Sequence, residues 1–135
     1  MASTGGRRRD ESGASAVELV LYMPILIFTI LFAVQFCLIY LGGQVASGAA
    51  REGARSARVT GSGAAGQASS ERVVRQLGQG VLNDATVLST VADNRARVTV
   101  SGEASRLLPF LPVPRISETV EGPVERFVPD DGAKP

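Results

Sequence analysis

The sequence predicts an α+β fold: a long N-terminal transmembrane helix extending outward, a short second helix and a small antiparallel sheet. Three observations carry this. The 23 residues from Leu19 to Leu41 contain no formal charge, and as a helix they would rise roughly 34 Å, enough to cross a bilayer. Val73, Val74, Leu77, Val81 and Leu82 recur at helical spacing. From residue 86 the period changes to two, in TVLSTV and then ARVTVSGEA.

Taken in order, the chain divides into a cytoplasmic basic leader (1–13), the transmembrane helix with its outer extension (14–59), a small extracytoplasmic α+β domain (60–128) and a disordered tail (129–135). Arg7, Arg8 and Arg9 stand close before the span, and basic residues there hold a flank on the cytoplasmic side while Asp10 and Glu11 count for little. Arg51, Arg55 and Arg58 weigh toward the opposite orientation but lie farther from the apolar boundary. The N-terminus is therefore expected inside. A cleavable secretory signal has an apolar region of roughly 7 to 15 residues, shorter than this one, so the segment reads as an anchor. Thr29 and Gln35 are polar positions within it that can bond to their own helix or to a neighbour, and Tyr22 and Tyr40 stand near its ends.

Beyond Leu41, LGGQVASGAAREGARSARV continues the helix. Gly42, Gly43, Gly48 and Gly53 each weaken a water-exposed helix by up to about 1 kcal/mol relative to Ala, which points to close packing or bending. Gly43, Ser47 and Ala50 fall on one face where another helix could approach. TGSGAAGQ, 60–67, reads as a loop. The second helix is then capped by Ser69 or Ser70 and ended by Asn83 and Asp84. ADNR turns the two period-two segments, with Val98 and Val100 on one face and Thr99 and Ser101 on the other. LPFLPVP contains three prolines that forbid a helix and allow an extended crossing to a third strand, RISETVEG, 115–122.

Composition narrows the function classes. One cysteine excludes an internal disulfide, and without histidine the usual zinc-ligand sets cannot be built. A net charge of +1 with scattered basic residues gives no footprint for nucleic acid. There is no Ser/His/Asp set and no phosphate-binding glycine loop, so neither a catalytic residue nor a cofactor or metal site is assigned, and a non-enzymatic role is expected. Glu103, Glu118, Glu121 and Glu125 alternate in the manner of exposed strand faces rather than of a cation site.

Glu18 is the unusual residue, a carboxylate at the entrance to an apolar run. One reading is an interfacial flank at headgroup level; the other is a contact between subunits. If a peptidase cut after Gly13, the chain would begin ASAVE. A free amine at Ala14 could then meet Glu18 of a neighbouring copy and set axial register.

The leader RRRDESG, then ASAVELVLYMPILIF, then AAREGAR together resemble the TadE-like family of minor pilins, or pseudopilins, of the tight-adherence (Flp-type) pilus assembly system. The resemblance covers residues 7 to 60. It implies a pilin-like fold, processing at Gly13 and Ala14 by a prepilin peptidase, and contacts with the lipid bilayer, other pilin-like subunits and the pilus assembly platform. The implied location is the cytoplasmic (inner) membrane of a bacterium, in a single pass. One departure is that Glu18 is followed by Leu19 rather than by the aromatic residue common in processed members. The alternative function is a single-pass envelope protein whose outer domain binds a partner or secreted substrate without entering a filament.

Overall fold

The computed structural model describes residues 11–126; the basic leader through residue 10 and the tail from residue 127, with the disorder expected over 129–135, lie outside the described residues. Helix α1 runs from Glu11 to Thr60, 50 residues without a break, a rod of about 75 Å. Pro24 lies inside it and removes one amide from the ladder, yet the helix continues on both sides. Gly61, at φ +67°, ends it in the left-handed region that favours glycine.

The two halves of α1 meet different surroundings. Up to residue 34 the described side chains are exposed almost without exception. From Gln35 onward one stripe is buried, Gly42, Ala46, Ala49, Ala50, Gly53, Ala54 and Ala57, at the three- and four-residue steps of an amphipathic helix. Small residues along this stripe let the sheet and second helix lie close against the rod.

Helix α2 (Gly63–Leu77) follows after a two-residue connection, with Ser62 as N-cap accepting a hydrogen bond from the Ala65 amide. This corrects both the loop expected over 60–67 and the Ser69 or Ser70 cap. The glycines that suggested a loop instead serve a helix crossing. A Cβ on Gly53 would run into Ser70 Oγ and approach the Gly66 carbonyl oxygen to 2.8 Å, while one on Gly66 would lie 2.8 Å from Ala57 Cβ. Only backbone fits there. The expected helix-facing set Gly43, Ser47 and Ala50 is displaced by the Ala49, Gly53 and Ala57 line. Gly43 and Gly48 have open space where a Cβ would stand. The far end also differs from expectation, since α2 stops before Gly78 and Gly80 turns the chain at φ +73°. Leu82, Asn83 and Asp84 therefore belong to a strand.

Strands β1 (Leu82–Ala92), β2 (Arg95–Ala104) and β3 (Arg115–Pro123) form one antiparallel sheet in the order β1-β2-β3. Asp93 and Asn94, at φ 49° and 62°, form the two-residue hairpin turn; positive φ at both positions is the primed turn whose twist matches paired strands. On the central strand Ala96, Val98, Val100, Gly102 and Ala104 are buried and their neighbours are not, the alternation that the sequence predicts. Val98 and Val100 are fully buried against Ala46, Ala49, Ala50 and Ala54 of α1, with Leu82 and Val87 completing the core.

The strands run along the outer half of the rod. At one end Gly42 packs so closely that a Cβ would touch Ile116 and come within 3.6 Å of Ala104 Cβ. At the other, Arg58 donates through Nε to the Pro123 carbonyl oxygen at 3.0 Å, and the Glu125 amide donates to the Arg58 carbonyl oxygen at 3.0 Å. The sheet is thus held at both ends to a helix that leaves it and extends about 16 Å beyond Gln35 to Pro24 and farther toward Glu11.

Candidate functional site

The segment from Ser15 to Val34 is a helix with an apolar surface on every side. Val20, Leu21, Ile25, Ile27 and Phe28 are each half exposed or more, and the 18-residue window that carries the apolar run has a mean hydropathy of 2.5 with 11 % of it buried. A helix in the core of a soluble protein is covered by its neighbours; this one is bare. It is long and apolar enough to cross a membrane, and lipid is the solvent that such an all-round apolar surface fits. The chain is membrane-anchored.

Gly13 and Ala14 lie in the first turn of α1, with a helical backbone. Glu18 is exposed one turn later, about 6 Å along the axis from Ala14, and among the described residues it makes no ion pair. It is also the one charged residue between Ser12 and Ala50. The structure thus places Ala14 and Glu18 on one face of the same helix end and leaves the carboxylate open to whatever lies beside it. Farther in, the Thr29 hydroxyl donates to the Ile25 carbonyl oxygen at 2.8 Å, a bond within its own helix.

Gln35 takes the other course. Its side chain is fully buried; Nε2 donates to the Ser105 carbonyl oxygen at 3.0 Å, and Oε1 accepts from the Leu107 and Leu108 amides at 2.8 and 3.3 Å. A carboxamide inside an apolar run is costly unless its donors and acceptor are satisfied, and here backbone from the β2–β3 connection does so. The sequence offered Gln35 as a residue able to bond to a neighbour. It gave no signal that the neighbour would be 70 residues away.

Two of the four glutamates singled out in the sequence, Glu121 and Glu125, are paired with guanidinium groups. Glu121 accepts from Arg97 at 2.7 and 3.0 Å and from Arg95 at 3.0 Å. These hydrogen bonds, Arg97's first, hold its carboxyl below the usual carboxylate range. Glu125 pairs with Arg58 at 3.5 Å. Glu121 therefore ties two strands together and Glu125 ties the chain after β3 to the helix end, both on an exposed surface.

The model of the TadE-like protein family matches from Gly13 to Arg55. This part of the chain is similar to the TadE-like family. The TadE-like segment includes Glu18, Pro24, Gln35 and Gly53, and covers the whole apolar helix with most of its buried extension; α2 and the three strands fall outside it. No curated protein and no solved structure matched the chain.

Proposed function

We propose that the chain is a membrane-anchored minor pilin-like subunit that takes part in assembling a tight-adherence (Flp-type) pilus. The observation that carries this reading is the coincidence of the TadE-like match with an exposed apolar helix whose one charge is Glu18. In such an assembly the apolar helices leave lipid and pack on one another. A carboxylate near their end selects a cationic neighbour, and the Ala14 amine exposed by cleavage after Gly13 supplies it. The role is structural rather than catalytic. Arg7, Arg8 and Arg9 of the basic leader support an N-terminus on the cytoplasmic side of a bacterial inner membrane, where a prepilin peptidase acts, with the α+β part outside.

The alternative is a single-pass envelope protein whose outer domain binds a partner and never enters a filament. The helical backbone at Gly13 and Ala14 favours it, because a protease needs an extended substrate and the first turn must unwind before cleavage. Intact-protein mass spectrometry of the membrane form separates the two. A chain beginning at Ala14, with Gly13→Leu accumulating the uncut form, is the expected result. A full-length chain alone, in cells with active prepilin peptidase, would favour the uncleaved anchor.

A further inference from the structure

The β2–β3 connection, from Ser105 to Pro114, does not cross the outer domain on the side away from the membrane. It folds back along α1 to Gln35, six residues before the end of the apolar run at Leu41 and so about 9 Å inside it. A hydrocarbon core of about 30 Å measured from Leu19 ends near Leu38, one turn past the point where the loop is pinned. The loop is thus held at the depth of the last turns of the span.

Its exposed side chains suit that depth. Phe110 is 63 % and Leu107 44 % exposed, and Phe36 and Tyr40, in the stretch of helix where the loop is pinned, are 64 % and 66 % exposed. The loop and the helix both present apolar side chains at this depth. Few of the loop's amides are left to satisfy, as fits the polar edge of the acyl region rather than its centre, since lipid tolerates irregular chain only where peptide groups are satisfied. Pro109, Pro112 and Pro114 have no N–H. The Leu107 and Leu108 amides bond to Gln35, and the Leu111 amide to the Leu108 carbonyl oxygen at 3.2 Å. Exposed Arg106 and Arg115 flank the apolar stretch, where long cationic side chains reach headgroup phosphates.

We propose that this loop inserts into the acyl–headgroup boundary of the leaflet at the C-terminal end of the span, giving the protein a second membrane contact led by Phe110 and Leu107. The pinning of the loop to Gln35, inside the apolar run, selects lipid as its occupant. The contact fixes the height and tilt of the sheet over the bilayer, and any withdrawal of the helix from the membrane must withdraw the loop with it. The inference requires the span but not the pilus role.

The chain has no tryptophan, so single substitutions report one position each. Phe110→Trp, Leu107→Trp, Phe28→Trp in the span and Val59→Trp, about 36 Å farther along the helix than Gln35, are compared in the full chain in phosphatidylcholine vesicles at high lipid-to-protein ratio. Acyl-brominated phosphatidylcholine is expected to quench Phe110→Trp and Leu107→Trp at least half as strongly as Phe28→Trp, and Val59→Trp negligibly, with acrylamide giving the reverse order. Loop variants that behave like Val59→Trp while Phe28→Trp is quenched would overturn the loop contact and leave the anchor standing. Loop variants shielded from acrylamide yet untouched by brominated lipid would also overturn it, in favour of a second copy covering the loop. Failure of Phe28→Trp to be quenched would remove the span, and the loop contact with it.

Discussion

Ser70 donates its hydroxyl to the main-chain carbonyl of Ala49 at 2.8 Å, and it reaches that oxygen because Gly53, one turn farther along α1, carries no side chain. The crossing of α1 and α2 is built on this absence. Ser70 and Gly66 are the buried residues of α2, and both face the same stretch of the rod.

Gly53→Ala should therefore destabilise the outer part of the protein by about 1–3 kcal/mol, the range for overpacking a close contact. Gly48→Ala should do the opposite. Its Cβ would meet nothing within 4 Å, so removing an exposed helix glycine should stabilise by up to about 1 kcal/mol. Thermal unfolding in detergent micelles reads both, and the contrast in sign is the check.

Gln35→Leu keeps the size and apolar character of its position but leaves the Leu107 and Leu108 amides without their acceptor. The docking of the loop should weaken by about 1–3 kcal/mol, the cost of unsatisfied buried donors. Amide hydrogen exchange at Leu107 and Leu108 should rise about 5- to 150-fold by the same free energy, while the amides of α1 between residues 19 and 34 stay protected. Unchanged exchange in the loop would mean that Gln35 does not hold it.

The Glu121 carboxyl titrates below its ordinary range because Arg97, then Arg95, hydrogen-bond its charged form. Its contribution to stability is present above the unfolded carboxylate pKa, roughly 4.3, and is lost as pH falls through the lowered folded value. Glu121→Gln should flatten the acid limb of a plot of unfolding midpoint against pH below that point. The effect should shrink in high salt, because the cluster is exposed and screened.

Much of this architecture was legible. The span, the continuation of its helix and the three strands follow from an uncharged run and from a change of period at residue 86, both of which act within a few residues of chain. The resemblance carried by ASAVELVLYMPILIF and AAREGAR was legible too, and the family match falls on those residues. What escaped reading was decided between distant segments. Gly63 and Gly66 look like loop residues because propensity penalises them in a helix, but Gly63 makes room for the Ser89 backbone of β1 and Gly66 for Gly53 and Ala57 of α1, which no local window contains. Val81 and Leu82 fit the helical period of Val73 and Val74, yet Gly78 and Gly80 end the helix before them. The prolines of LPFLPVP correctly exclude a helix; that the segment doubles back to Gln35 depends on a side chain near the other end of the sequence.

The central claim is that Glu18 serves contact between subunits rather than insertion. The apolar run from Leu19 to Leu41 is long enough to partition without it, and the carboxylate is exposed on the helix with no partner among the described residues. Glu18→Gln removes the charge and keeps the shape. In a bacterial host that carries the tight-adherence pilus system, at matched protein level, this variant should remain in the membrane through alkaline extraction while its site-specific crosslinks to pilin-like subunits and the number of pili fall. Normal crosslinking and normal piliation by the Gln variant would contradict the account and return Glu18 to an ordinary interfacial residue.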